Sequence, residues 1–270
     1  MRVWLTRALI VAAAVALVAW AGHDARRTLL RTLAVEHYFR SGWRALNRRD
    51  IERAEALFRR AQERTTRPGE MAARIGLAYA DPGPKGTAPR WPRRATRWLA
   101  RAIEIRPDQP AAVYWELGGA HWAMGDLQAA TAPLERAVAL HPDNPLTLNA
   151  LGYLLAERRI ELDRAVALLR RALDKLPANA PREVRWSIDD SLGWAYYQRG
   201  EYRQALPLLQ GAHEGLNARK INDPEVAYHL GMIYLVLHRR SEGTAVLRRA
   251  ANAGSRPARA ALKRLRVGAK

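Results

Sequence analysis

Residues 118–142 read GGAHWAMGDLQAATAPLERAVALHP, and the spacing inside this stretch decides the fold. Gly118 is followed by His121, Gly125, Ala130, Leu134, Ala137 and Pro142. One period on come Gly152, Leu155, Ala165, Leu169, Ala172 and Pro177, then Gly193, Tyr196, Gly200, Ala205, Leu209 and Ala212, then Gly231, Tyr234, Leu247 and Ala250. Upstream the same lattice holds Gly42, Ala45, Ala54, Phe58 and Ala61, and then Gly76, Tyr79, Ala95, Leu99, Ala102 and Pro107. A period of about 34 residues with these residue types marks stacked helix pairs.

Each anchor has a steric task. Gly118, Gly152 and Gly193 are expected where the first helix of a pair crosses the second, so that a missing Cβ admits close approach. Ala130, Ala165 and Ala205 open the second helix and must be small because the next helix packs over them. Leu134, Leu169 and Leu209 are expected to fill the wedge between successive pairs. Pro107, Pro142 and Pro177 end the second helix, because proline disfavours helical geometry in the residue before it. Gly125-Asp126 and Gly200-Glu201 form the turn within a pair.

This lattice resembles the tetratricopeptide repeat (TPR) family over roughly residues 37–255. The resemblance implies an all-α, TPR-type α-solenoid, a right-handed superhelix of helix-turn-helix pairs. The sequence divides into a signal-anchor or signal peptide (1–23), a helical linker (24–36), six TPR-like repeats (37–255) and a C-terminal capping helix (256–270). The runs Asn149-Ala-Leu-Gly-Tyr153 and Asp190-Ser-Leu-Gly-Trp194 are similar to those of bacterial envelope TPR proteins.

The chain has 270 residues, no cysteine and a net charge of +19. Disulfides, thiol catalysis, cysteine-based zinc sites and a lipoprotein anchor are therefore excluded. The positive charge is almost all arginine, and Arg59-Arg60, Arg170-Arg171 and Arg248-Arg249 fall just before the last alanine of a second helix, with Arg101 and Arg136 in register. Such a convex stripe is either a solvated face or a surface for anionic lipid or another polyanion. Nucleic acid is not the expected partner, because no recognised nucleic-acid-binding pattern accompanies the charge.

Residues 8–22, ALIVAAAVALVAWAG, are uninterrupted small or apolar residues behind Arg2 and Arg7. Counted from Val3, the stretch reaches the length of a membrane-spanning hydrophobic helix, with Arg7 at the membrane edge. It also fits a secretory signal cleaved after Ala21. The reading is a single-pass anchor in a bacterial cytoplasmic (inner) membrane with the repeats outside the cytoplasm. A cleaved, secreted or periplasmic chain is the alternative.

By the TPR resemblance, the first helices line a concave groove, and its side chains lie three before, one after and four after the lattice glycine. Mapped here, the candidate peptide-binding residues are Phe39, Trp43, Trp115, Trp122, Asn149, Tyr153, Asp190, Trp194, Tyr197 and Tyr228, with Met232 and Leu235 beside them. Aromatics dominate this set, and Tyr and Trp give contact area at low entropic cost. The expected partner is an apolar, aromatic or proline-rich protein segment, with room for a positive charge. The competing reading is that these rings pack between neighbouring helices.

The proline-rich insertion ADPGPKGTAPRWP near residues 80–92 is read either as a loop exposing Trp91 or as a tolerated surface insertion. The stretch ANAPREVRW lengthens the link between repeats four and five. Histidines are scattered, and no phosphate loop, serine elbow or metalloprotease motif is present, so no enzyme, cofactor or metal is expected. Asp189 and Asp190 are adjacent, and neighbouring helical residues point about 100° apart.

Overall fold

Prolines and short polar caps cut the chain into helices of similar length. The computed structural model describes residues 23–82 and 89–267. Among the described residues there are thirteen helices and no strand. They run α1 (His23–Asn47), α2 (Ile51–Arg64), α3 (Pro68–Ala80), α4 (Pro92–Ile105), α5 (Ala111–Ala123), α6 (Leu127–Leu140) and α7 (Pro145–Arg158). Then follow α8 (Leu162–Lys175), α9 (Arg182–Gln198), α10 (Tyr202–Ala218), α11 (Pro224–Val236), α12 (Arg240–Asn252) and α13 (Arg256–Val267). The stretch expected to be an anchor or signal, apolar run 8–22 included, lies outside the described residues. Among the described helices none is long and apolar enough to cross a membrane.

The helix ends have local causes. Asn144 Oδ1 accepts the Leu146 and Thr147 amides at 2.9 and 3.2 Å, and Asp223 Oδ1 accepts those of Glu225 and Val226 at 2.9 and 3.2 Å. Pro145 and Pro224 fill the adjoining first helical position, where a missing N–H costs nothing. At the other end, α4, α6 and α8 stop two residues before Pro107, Pro142 and Pro177. The turn inside a pair uses a left-handed residue: Gly125 (φ 78°), Gly200 (φ 80°), and at matching places Arg49 (φ 62°), Arg159 (φ 55°) and His238 (φ 60°).

The chain divides into two compact units, Met1–Asp126 and Leu127–Lys270. In the first, α1 packs on α2 and α3 on α4; in the second, α7 pairs with α8, α9 with α10 and α11 with α12. The segment read as a linker, 24–36, is continuous with the first repeat helix in α1.

The steric lattice is directly visible. A Cβ built on Gly42 would meet the Phe58 ring at 2.7 Å, one on Gly76 would meet Leu99 at 2.6 Å, and one on Gly193 would meet Leu209 at 2.8 Å. Gly152 and Leu169, and Gly231 and Leu247, repeat the contact at 2.6 Å. The leucine expected to wedge between successive pairs thus seats on the glycine of its own pair. The alanines that open the second helices, Ala54, Ala95, Ala130, Ala165 and Ala205, are all fully buried.

Two insertions take structural roles. Trp91 turns inward: its ring sits edge-on to Tyr79 with centroids 6.2 Å apart, and its amide donates to the Tyr79 carbonyl at 3.3 Å. The longer connection before α9 seats Trp186 against Gly215 of α10, where a Cβ would lie 2.2 Å from the indole.

Candidate functional site

In the second unit, α9 packs against both α7 and α11. Residues four apart on a helix share a face, so Tyr153 and Glu157 of α7 project together, as do Asp190 and Trp194 of α9. Glu225 and His229 of α11 complete the meeting point.

His229 Nδ1 lies 2.9 Å from Asp190 Oδ2 and 3.1 Å from Oδ1, with both residues buried. Its Nε2 is 3.4 Å from the Tyr153 hydroxyl, which donates to Glu225 Oε1. The Trp194 indole N–H donates to Glu157 Oε2 at 2.9 Å. Trp194 stacks on His229 with centroids 4.1 Å apart and on Tyr197 with centroids 4.7 Å apart. Tyr228 closes the cluster, tilted against Trp194 at 5.7 Å.

The charges explain why this interior is tolerated. Burial disfavours a charged His229, but the Asp190 carboxylate beside it, with Glu225 and Glu157 further out, outweighs that and raises its pKa. Burial and the neighbouring carboxylates Glu225 and Glu157 hold the Tyr153 phenol well above its usual range, so it stays a hydrogen-bond donor. Chemically the arrangement clamps three helices with a satisfied polar chain. Tyr153, Glu157, Glu225, Tyr228 and the edge of His229 line a cavity of about 160 Å³ at its rim.

In the first unit, α1 and α3 form a second surface. Phe39 packs on Phe58 with centroids 5.7 Å apart, and the Arg74 guanidinium lies over the Phe39 ring at 4.0 Å. Trp43 beside it is 45% exposed. Glu36 joins Arg40 at 2.7 Å to Arg74 at 2.9 Å, tying the two helices together. On α5, burial and then the Asp81 charge push the Glu116 carboxyl up to about 7.

The residues expected to bind a peptide therefore separate into different environments. Asp190 and Trp194 are interior groups, 6% and 3% exposed, engaged by His229 and Glu157. Phe39, Tyr153, Tyr197, Tyr228, Trp115 and Trp122 are half-buried, and Trp43 is open. The Asn149 Oδ1 is covered and has no hydrogen-bond partner among the described residues. The structure brings Tyr153, Asp190, Trp194, Tyr197 and Tyr228 into one cluster and Phe39 and Trp43 into another.

His229, Glu157 and Glu225 escaped the sequence reading. The signal for His229 was weak: the position two before the lattice glycine holds Arg40, Arg74 and Glu116 in the first three repeats but Ala150 and Ser191 in the next two. Part of the convex arginine stripe is engaged internally. Arg170 Nε donates to the Tyr196 hydroxyl at 2.9 Å, Arg171 pairs with Asp143 at 2.7 Å and Arg101 with Glu104 at 2.7 Å. Among the described residues no group of three or more His, Cys, Asp or Glu side chains has a metal-binding arrangement.

A family model described as tetratricopeptide repeat matches residues 111–154. A TPR repeat-containing protein of Pseudomonas aeruginosa is 37% identical over 106 residues, 39% of this chain and 16% of that protein. The match thus spans a small part of that relative's length. Among solved structures, PilW, described as a widely conserved type IV pilus biogenesis factor, aligns with a TM-score of 0.59 at 14% identity, over 84% of this chain and 98% of PilW. YrrB, described as a TPR protein with an unusual peptide-binding site, aligns with a TM-score of 0.53 at 18% identity, over 71% of this chain and 98% of YrrB. At these identities the structural likeness is one of fold.

Proposed function

We propose that this chain, in which residues 111–154 match the tetratricopeptide repeat, is a non-enzymatic scaffold that binds segments of partner proteins and organises a cell-envelope complex. The observation that carries this reading is the pairing of aromatic rings with charge at the solvent boundary of the first helices. In one unit Trp43 stands open beside Arg40; in the other, Tyr153 and Tyr228 frame a cavity with Glu157 and Glu225. Rings supply contact area, and carboxylates at the rim favour an apolar or aromatic segment that also carries a basic residue. The peptide-binding site named for YrrB and the type IV pilus biogenesis role named for PilW are consistent with this proposal.

The apolar run 8–22 is the basis for proposing a tether in a bacterial inner membrane, with the repeats outside the cytoplasm. A cleaved, soluble periplasmic adaptor is the second form, and amino-terminal sequencing of the mature chain separates the two. An acid–base enzyme is disfavoured because His229 is 1% exposed and both its ring nitrogens already face partners.

The test places a photo-crosslinking residue at Trp43, at Tyr228 and at Arg248 in the full chain in its native membrane. Discrete partner adducts from Trp43 and Tyr228, and none from Arg248, support the scaffold reading. Adducts from Arg248 alone would move the working surface to the convex arginines.

A further inference from the structure

The first unit contains a basic cleft that the peptide-binding reading does not use. It lies between the amino-terminal half of α1 and the α2–α3 turn, and measures about 680 Å³. Arg27 and Arg31 enter it from α1, Arg64 from the end of α2, Arg67 from the turn before α3 and Arg74 from the second turn of α3. Against these five guanidinium groups stand two carboxylates in the wall, Glu36 and Glu70, with Glu63 pairing Arg64 at 3.9 Å beside it, which leaves a net excess of two positive charges. Glu36 binds Arg40 and Arg74, and Glu70 binds Arg67 at 3.4 Å.

Two of the arginines are held by neighbours other than carboxylates. Arg31 Nε donates to the Arg64 carbonyl at the end of α2, which fixes its planar fork and leaves its terminal nitrogens directed away from that bond. Arg64 lies over the Tyr38 ring at 5.1 Å, so its stem is seated on an apolar surface. The first turn of α3 adjoins them with no side chain capping it, which adds the positive end of a thirteen-residue helix. Threonine hydroxyls, Thr28 and Thr66 among them, lie on the same wall.

Several guanidinium forks with hydroxyls beside them match a tetrahedral dianion or diester better than a planar carboxylate, which two donors would saturate. We propose that this cleft is a binding site for a phosphate group, carried by a lipid headgroup or by a free phosphate compound. Sequence order favours the lipid source: Arg26 and Arg27 follow the apolar run 8–22 almost immediately, and basic side chains at such a junction are drawn to anionic headgroups. Neither Trp43 nor Tyr228 lines the cleft; Glu36 and Arg74 border both it and the Phe39–Trp43 surface, whereas Arg27 and Arg67 line only the cleft.

The experiment uses the full chain in non-ionic detergent micelles. One arm titrates inorganic phosphate; the other dopes the micelles with phosphatidylglycerol or, for comparison, phosphatidylcholine. Binding is read by thermal shift and by hydrogen-exchange protection of residues 24–35 and 64–72. The cleft variant Arg27→Gln/Arg67→Gln is compared with Arg248→Gln/Arg249→Gln, an equal change of charge on exposed arginines elsewhere. The expected result is saturable protection of both segments, weakened about tenfold or more in the cleft variant and unchanged in the other. Protection by phosphatidylglycerol that excess phosphate does not displace assigns the lipid source, and saturation by phosphate alone assigns the free one. Equal losses in the two variants, or no saturable protection with either probe, would overturn the proposal. Circular dichroism and the unligated melting temperature confirm that both variants fold.

Discussion

The backbone of Gly152 and the side chain of Leu169 occupy one another's space: a Cβ on the glycine would sit 2.6 Å from Leu169 Cγ and 3.1 Å from the Ala165 carbonyl oxygen. The backbone carbonyl cannot yield without moving α8. Gly152→Leu is therefore expected to destabilise the chain by about 1–3 kcal/mol, measured by urea unfolding. Gly211, inside α10, meets nothing within 4 Å, so Gly211→Ala should instead stabilise by about 0.5–1 kcal/mol. Equal effects of the two substitutions would contradict the lattice.

The buried pair of His229 and Asp190 predicts a pH dependence with a definite sign. The His229 pKa is raised in the folded chain, so the folded state holds that proton more tightly than the unfolded one. Its stabilisation is complete below the unfolded value of about 6.5 and is lost as pH rises through the raised folded value. Asp190→Asn should flatten this alkaline decline. It should also cost about 3 kcal/mol or more at pH near 6, because a buried imidazolium loses its counter-charge. Urea midpoints measured from about pH 6 to 9 check both parts. A wild-type slope retained in Asp190→Asn would mean that another group carries it.

Glu116 acts in a lower window. Its carboxyl is pushed up to about 7 by burial and then by Asp81, so its penalty develops as pH rises from its unfolded value to about 7. Glu116→Gln should raise stability at pH 8 by up to about 2 kcal/mol, after discounting for partial exposure, and change little at pH 4. A melting curve at each pH is sufficient. A loss of stability at pH 8 would show that the ionised carboxylate has a favourable partner.

His238 holds the left-handed turn position that Gly125 and Gly200 fill in other pairs, at φ 60°. A side chain there crowds its own backbone, at a cost that glycine avoids. His238→Gly should raise stability by about 0.5–1 kcal/mol, net of the glycine's greater unfolded-state entropy. Differential scanning calorimetry measures it, and a lower melting temperature would show that the exposed imidazole contributes more than the turn strain costs.

Much of the architecture was legible because each lattice residue answers to its own local geometry. Gly42, Gly152, Gly193 and Gly231 recur with a partner Phe or Leu 16 or 17 residues on, Gly76 has its Leu99 23 residues on across the proline-rich insertion, and both sides of each contact lie within one helix pair. Pro107, Pro142 and Pro177 end their helices through a clash with the preceding residue, which needs no tertiary information. Trp91 was harder. Its loop composition pointed outward, and only the contact with Tyr79, across the proline-rich segment, turns it in.

Periodicity alone specifies helix pairs of repeating type, the prolines at which some of the second helices end, and the small residues that mark close packing. Which aromatic positions are surface and which are interior depends on contacts between pairs. Asp190 and His229 lie 39 residues apart on helices of different pairs, and their contact depends on how far each helix rotates about its axis. A small rotation moves a side chain from solvent to the neighbouring helix without altering the repeat spacing, so periodicity is blind to it. Trp43 and Trp194 occupy the same lattice position, one after the glycine, and the structure leaves one open and buries the other. The difference comes from their neighbours: His229, Glu157 and Tyr197 close over Trp194, whereas Trp43 at the start of the lattice stays exposed.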